Sequence, residues 1–465
     1  MVPEKLDRTV TRIPSAAVQV RKNLTLSRQR LDGLYLLLVG CLLFISVGTF
    51  TERASFVSMV DFKAVFYGTR CLLEHGDPYS DKDLQRVYLA EDGETQFKKL
   101  KLIHAVTPNV NLPTTFSFVA PFALLPWGPA HLLWMLLTGA SFIFAAFLIW
   151  KLGAEHAPVI SGGLLFLFLL GSELLLEVGN TAGIVVSLCV VSVWCFLRRR
   201  FALAGVLCLA ISLLVKPQDA GFVWLYFLLA GGIYRKRALQ TLLLTAVLAL
   251  PSLIWVSHAA PNWVEELHNN VSLSSERGHG NDPGPTTVDP RSRGAIIISL
   301  QSAFSIFQDE PRFYNSAAYL LCSPLVLVWI YATVRKSPLP ANTWLALATI
   351  AALSMLPIYH RQHDTRLLLL TVPACAMLWS EGGPIAWMAV VFTALGAIFT
   401  SNTFLQLLAS STTGFRFSVK GWPGNILNVL LCRPAPLILL LVSVFYLWVY
   451  VRRSTPKVAD EPIRL

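Results

Sequence analysis

Apolar runs of about 15–25 residues, separated by short charged clusters, constrain this chain more than any other feature. An α-helix rises 1.5 Å per residue and needs about 20 apolar residues to cross roughly 30 Å of hydrocarbon. Such runs lie near residues 33–50, 129–150, 160–176, 181–197, 201–215, 219–233, 238–257, 314–334, 341–358, 366–380, 384–400 and 435–451. Between them only 14% of the 465 residues are Asp, Glu, Lys or Arg, against about 25% in soluble domains. A soluble enzyme, a fibrous protein and a disordered protein are excluded. The expected fold is all-α: a polytopic helical membrane protein of about twelve transmembrane helices.

The net charge of +11 follows from membrane orientation and does not indicate a nucleic-acid partner, because cytoplasmic flanks gather Lys and Arg. Basic clusters stand in the N-terminal tail and at Arg198-Arg199-Arg200, Arg235-Lys236-Arg237, Arg335-Lys336 and Arg452-Arg453. Twelve spans put all five on the side of the N-terminus. The chain then divides into a cytoplasmic tail (1–32), a transmembrane domain (33–451) and a second cytoplasmic tail (452–465). Residues 1–31 lack the apolar core of a cleaved signal peptide, so the first span is expected to stay as an anchor. Eight cysteines, mostly within apolar runs and without a CxxC pair, suit small buried residues better than disulfides or zinc.

One apolar stretch does not fit the parity. Residues 114–125 number only 12, contain Pro121 and are closed by Pro126; runs this short are re-entrant or interfacial more often than spanning. With that stretch left out, four features share the extracytoplasmic side. They are the loop 51–113, the loop 258–313, the turns at Gly179-Asn180 and Lys216-Pro217-Gln218-Asp219, and the turn His360-Arg361-Gln362-His363-Asp364. Residues 274–293, rich in Gly, Pro and Ser, read as a mobile loop or a substrate gate.

In the first loop, Phe62, Val65, Phe66, Thr69 and Leu72 recur at helical spacing. This predicts an amphipathic helix on the membrane, stopped by Gly76 and Pro78. Asp61 stands at its start, where a carboxylate caps backbone N–H groups or serves as a general base. The turn with His360, Arg361, His363, Asp364 and Arg366 places ionisable groups next to hydrocarbon, where they snorkel or serve a site. Lys216 and Arg366 are candidates to grip a phosphate, as point charge and fork. Glu173 and Glu177 could pair with such cations or lie at the interface. No metal site with diagnostic spacing is present. No nucleotide-binding glycine loop or dinucleotide fingerprint appears, so no cofactor is indicated.

The ordered motifs resemble glycosyltransferase family 87, the polyprenyl-phosphate-mannose-dependent mannosyltransferases. The match runs through Asp61-Phe62, Gly76-Asp77-Pro78-Tyr79, Leu112-Pro113 leading to Leu124-Leu125-Pro126, Gly179-Asn180, Ala204-Gly205 and Lys216-Pro217. Two motifs depart from the pattern: the family usually has Gly-Gln at Gly179-Asn180 and Pro-Pro at Leu112-Pro113. The resemblance implies a GT-C-like fold with an extracytoplasmic active site in a bacterial plasma membrane. It also implies a hexosyltransferase moving a hexose, mannose in the family, from a polyprenyl-phosphate sugar to a lipid or glycan acceptor, with inversion. Asp61 would be the catalytic base. Lys216, His360, Arg361, His363 and Arg366 would face the donor phosphate, and Tyr67, Asp77, Tyr79, Asn180 and Gln218 the sugar or acceptor. The alternatives are a lipid-linked glycan flippase, another GT-C aminosugar transferase and an O-antigen ligase. Against transport, no internal repeat is visible and the ionisable groups lie at one face.

Overall fold

A computed structural model describes residues 16–55, 58–93, 106–277, 279, 281–284, 297–402, 404 and 421–453. Among these residues the chain is helical, with an isolated antiparallel bridge between Ile297 and Arg361 and no sheet. The distal parts of both tails and residues 285–293 of the expected gating loop lie outside the described residues.

Every expected apolar run overlaps one or more helices, although the run 341–358 outlasts its helix, Pro340–Leu353, by five residues. Among the described residues six helices are long and apolar enough to cross a bilayer: Ser27–Ala54, Trp127–Gly153, Pro158–Glu177, Gly232–Ala259, Pro311–Arg335 and Pro434–Arg452. Others are shorter. Ala202–Val215 and Pro217–Ala230 are split at Lys216-Pro217, where Pro217 takes the first helical position and its missing N–H costs nothing. The run expected at 366–380 is a 3-10 segment, Gln362–Leu370, continued by the α-helix Thr371–Glu381.

Position in the bundle accounts for the shortness of one of these helices. Every residue from Asn342 to Leu353 in the helix Pro340–Leu353 is buried, whereas Gly232–Ala259 exposes Leu239, Leu243, Leu250 and Ile254. A helix that is apolar all round and enclosed by others need not match the bilayer, while an outer helix must. The first span lies backbone to backbone against Pro158–Leu170. A Cβ on Gly33 would meet Pro158 O at 2.3 Å, and one on Gly162 would meet Gly33 O at 2.2 Å. Such glycines let helices approach where hydrophobicity gives no net drive.

The short apolar stretch is the helix Pro113–Ala123, 11 residues with Pro121 inside; at 1.5 Å per residue it is about half the length a crossing needs. It packs beneath the first-loop helix Val60–Leu73, and here the expectation of a helix lying on the membrane is corrected. Phe62, Ala64 to Thr69, Cys71 and Leu72 are all buried. They share a second core with Tyr79, Leu84, Phe116, Val119 and Trp134. Arg70 ties the two helices together, donating through Nε to Ala123 O (3.0 Å) and through its terminal N–H to Leu125 O (2.7 Å).

Candidate active site

The start of the first-loop helix decides between the two readings of Asp61. The helix begins at Val60 after Met59, which is left-handed at φ 55° and offers no side-chain cap. The N–H groups of Met59 and Asp61 instead donate to the carbonyls of Glu177 (2.8 Å) and Val178 (3.0 Å). Main chain thus satisfies the donors that a capping carboxylate would take. The Asp61 side chain is free for another partner: Asn180 Nδ2 donates to its Oδ2 at 2.7 Å. Its Oδ1 has no hydrogen-bond partner among the described residues.

Gly179 makes this approach possible. Its φ is +66°, and a Cβ there would lie 2.5 Å from Met59 Sδ and 2.8 Å from Phe62 Cβ. Its carbonyl accepts from Trp134 Nε1 at 2.9 Å, and Trp134 stacks on Phe62 with centroids 4.4 Å apart. Gly179→Ala is therefore expected to cost about 1–3 kcal/mol in backbone strain and overpacking. It should lower turnover as well, because the Asp61–Asn180 contact must open. A thermal melt and a transfer assay on the purified variant check both.

From Asn180 the polar chain continues across the end of the bundle. Asn180 Oδ1 accepts from Ala182 N at 2.8 Å and lies 3.4 Å from Lys216 Nζ. Lys216, in the turn between two apolar helices, donates to Asp364 and stands 3.5 Å from Asp219 Oδ2. Asp364 Oδ2 also accepts from Arg361 N at 2.9 Å. His360 is fully buried. Its Nδ1 is 3.2 Å from Ile358 O and its Nε2 is 3.4 Å from Asp219 Oδ1. Arg361 donates to Asn281 Oδ1 at 2.7 Å, and the Tyr359 hydroxyl donates to the same oxygen at 2.5 Å. The charge of Asp61 reaches Lys216, Arg361 and His363.

Electrostatics separates the two histidines. Burial alone would lower His360, but the Asp219 and Asp364 carboxylates outweigh it and hold its pKa above the usual 6.5. For His363, burial prevails over Asp364, with Lys216 assisting, and the pKa falls to about 4, so its imidazole is neutral at physiological pH. Burial would raise Asp364, yet Lys216 and the histidines hold it well below the carboxylate range. Lys216 stays above the ordinary lysine value because Asp219 and Asp364 overcome its desolvation. Ligand atoms of Asp219, His360 and Asp364 lie within 4.8 Å of one another. The Lys216 ammonium already stands against both carboxylates, which makes this an ion-pair network closed by an amine.

Asp61, Asn180, Lys216, His360, Arg361 and His363 thus converge. Arg366 does not join them. It is buried and donates to Phe168 O (3.2 Å), Ser172 Oγ (3.1 Å) and Thr400 O (2.9 Å). Its fork is spent on main-chain carbonyls and a serine hydroxyl, within electrostatic reach of Glu173. Tyr67 packs among Phe66, Tyr88 and Trp127 in the second core. Asp77 Oδ1 accepts from Tyr79 N at 2.8 Å, and the Tyr79 hydroxyl donates to Asn111 O at 2.8 Å. The Gly76-Asp77-Pro78-Tyr79 motif therefore builds a loop corner. Gln218 is half-buried in the first turn of Pro217–Ala230, and its side chain makes no hydrogen bond among the described residues. Asp219, Tyr359 and Asn281 were not singled out as site residues. For Asp219 a signal existed: a carboxylate entering an apolar helix three residues after a lysine demands a partner.

Fold and site together define an integral membrane protein with a charged centre at one end of its bundle. The family model described as glycosyltransferase family 87 matches residues 110–357, just over half of the chain, which belongs to that family. It is a membrane glycosyltransferase, and its helical bundle agrees with the GT-C superfamily. Neither the curated proteins nor the solved structures compared contain a match. The matched stretch includes Asn180, Lys216 and Asp219. Asp61 and the turn 359–364 lie outside it and join the site through geometry.

Proposed function

We propose that the chain transfers a hexose, mannose by its family resemblance, from a polyprenyl-phosphate sugar to a lipid or glycan acceptor at the extracytoplasmic face of a bacterial plasma membrane. The observation that carries this is the Asp61 carboxylate, braced through Oδ2 by Asn180 at 2.7 Å with Oδ1 unengaged among the described residues. Asp61 Oδ1 accepts the proton of the acceptor hydroxyl as that oxygen bonds to the anomeric carbon. The bond from that carbon to phosphate oxygen breaks, and its electron pair leaves on the polyprenyl phosphate. Lys216, Arg361 and His360 steady the developing charge. Attack opposite a β-linked phosphate inverts the centre and gives an α-linked product, with one carboxylate where glycosidases need two.

The basic residues support this orientation. The first loop and the turns at 179–180, 216–219 and 359–364 meet at this site, and a twelve-span arrangement would put all of them on one side of the membrane. Lys336 donates to the carbonyls of Tyr450, Val451 and Arg453, so two basic clusters meet elsewhere. By the excess of basic residues in cytoplasmic segments, that end faces the cytoplasm, together with both termini.

Incubating membranes that contain the protein with labelled polyprenyl-phosphate mannose should yield a glycosylated product one hexose heavier, detected by mass analysis. Movement of the lipid sugar across vesicles with no glycosidic product would establish the flippase reading instead.

A further inference from the structure

Asp219 has no part in the proposed transfer, yet it is 2% exposed and neither carboxylate oxygen has a hydrogen-bond partner in that buried position. It lies 3.5 Å from the Lys216 ammonium and 3.4 Å from His360 Nε2. His360 faces acceptors on both sides, since its Nδ1 lies 3.2 Å from the Ile358 carbonyl. A neutral imidazole carries one N–H and one lone pair. Either neutral tautomer would turn a lone pair toward the Ile358 oxygen or the Asp219 carboxylate, with no water-exposed surface to relieve it. Opposite an ionised Asp219, only the doubly protonated ring turns an N–H to the Ile358 oxygen and a positive charge to the carboxylate 3.4 Å away.

We infer that Asp219 holds His360 as an imidazolium, and that this buried charge sets the affinity of the site for the donor phosphate. The inference rests on the reading of this end of the bundle as the donor-phosphate side. Charge counting shows why the proton matters. Asp219 and Asp364 oppose Lys216 and His360, so with His360 protonated this group of four is neutral and can accept a phosphate anion. With His360 neutral, the group carries an excess negative charge that repels the donor.

The groups facing His360 are few. Asp219 comes from the helix Pro217–Ala230, and Asp364, with the Ile358 carbonyl, from its own segment. Lys216 acts through the two carboxylates. The strand-like residues whose Ile298 N–H donates to His360 O at 3.1 Å bring only Ile297, Ile298, Ser299 and Leu300, none of which titrates. Asp219 is thus a positioning residue acting through His360.

The test is the pH dependence of the Michaelis constant for a polyprenyl-phosphate sugar. In the native enzyme the constant should climb about tenfold as pH rises from 6 to 9, the effect of losing one charge from a desolvated cluster. In Asp219→Asn the climb should begin at least about one pH unit lower, as expected when a buried imidazolium loses its partner. In His360→Gln the constant should sit at the high value at every pH. A climb retained by His360→Gln, or one unmoved in Asp219→Asn, would overturn the inference. So would a native constant that is flat with pH while turnover proceeds, and in that case the transfer reading survives. Absence of any glycosidic product from the native enzyme would instead remove the transfer reading. If Asp219→Asn does not fold, His360→Gln still decides the question.

Discussion

Asp61→Asn is expected to lower turnover by about 10²–10⁴-fold, the contribution of a positioned general base, without moving the melting temperature of the detergent-purified protein. The amide is nearly the same shape, and its oxygen can still accept from Asn180 Nδ2, which reaches Asp61 Oδ2 at 2.7 Å. The helix start loses nothing either, because Glu177 and Val178 carbonyls take the N–H groups of Met59 and Asp61. A capping role predicts the opposite pattern, with stability disturbed and turnover largely kept. Measuring both on one preparation separates them, and near-native turnover would end the assignment of Asp61 as base.

That experiment turns on a distinction the sequence posed and could not resolve. An aspartate at a helix start is a cap by default, and only the carbonyls of residues 177–178, more than 110 positions away, show the cap to be redundant. The apolar runs were legible because lipid imposes one length and one polarity on every segment. Spans that are enclosed by others escape that rule, which is why the run at 366–380 hides a 3-10 segment, Gln362–Leu370. Lys216 was recognisable from its place in a turn between apolar helices. Its partner Asp364 lies 148 positions on, and no local pattern encodes such a pairing. Arg366 shows the converse failure. A guanidinium beside hydrocarbon suits a phosphate fork, but it equally suits three main-chain and hydroxyl acceptors, and only packing chooses between them. Tyr67 and Tyr79 likewise bear chemistry-capable hydroxyls on side chains whose rings the second core has claimed.

Lys216→Met should be the most destabilising single change in the site. The ammonium contacts Asp364 and lies 3.5 Å from Asp219, and removing it leaves two buried carboxylates facing each other without their amine. Breaking a buried ion pair by deleting one partner costs about 3–5 kcal/mol. The melting temperature at pH 7 should fall accordingly, and transfer should be lost with the phosphate contact. The pH dependence provides the sign. In the native protein the folded pKa of Asp364 is depressed. Its stabilisation is therefore present above its unfolded value of about 3.9 and is lost as pH falls through the folded value. Without Lys216 the carboxylates bind protons more readily folded than unfolded, so acidification should narrow the gap to the native protein. Adding Asp364→Asn to Lys216→Met removes one of the stranded charges and should return much of the lost melting temperature while transfer stays absent. The two changes would then couple strongly, as contacting residues do. If stability instead fell further in the double variant, by the sum of the single effects, Lys216 and Asp364 would be independent and the ion-pair network would not hold this end of the bundle together.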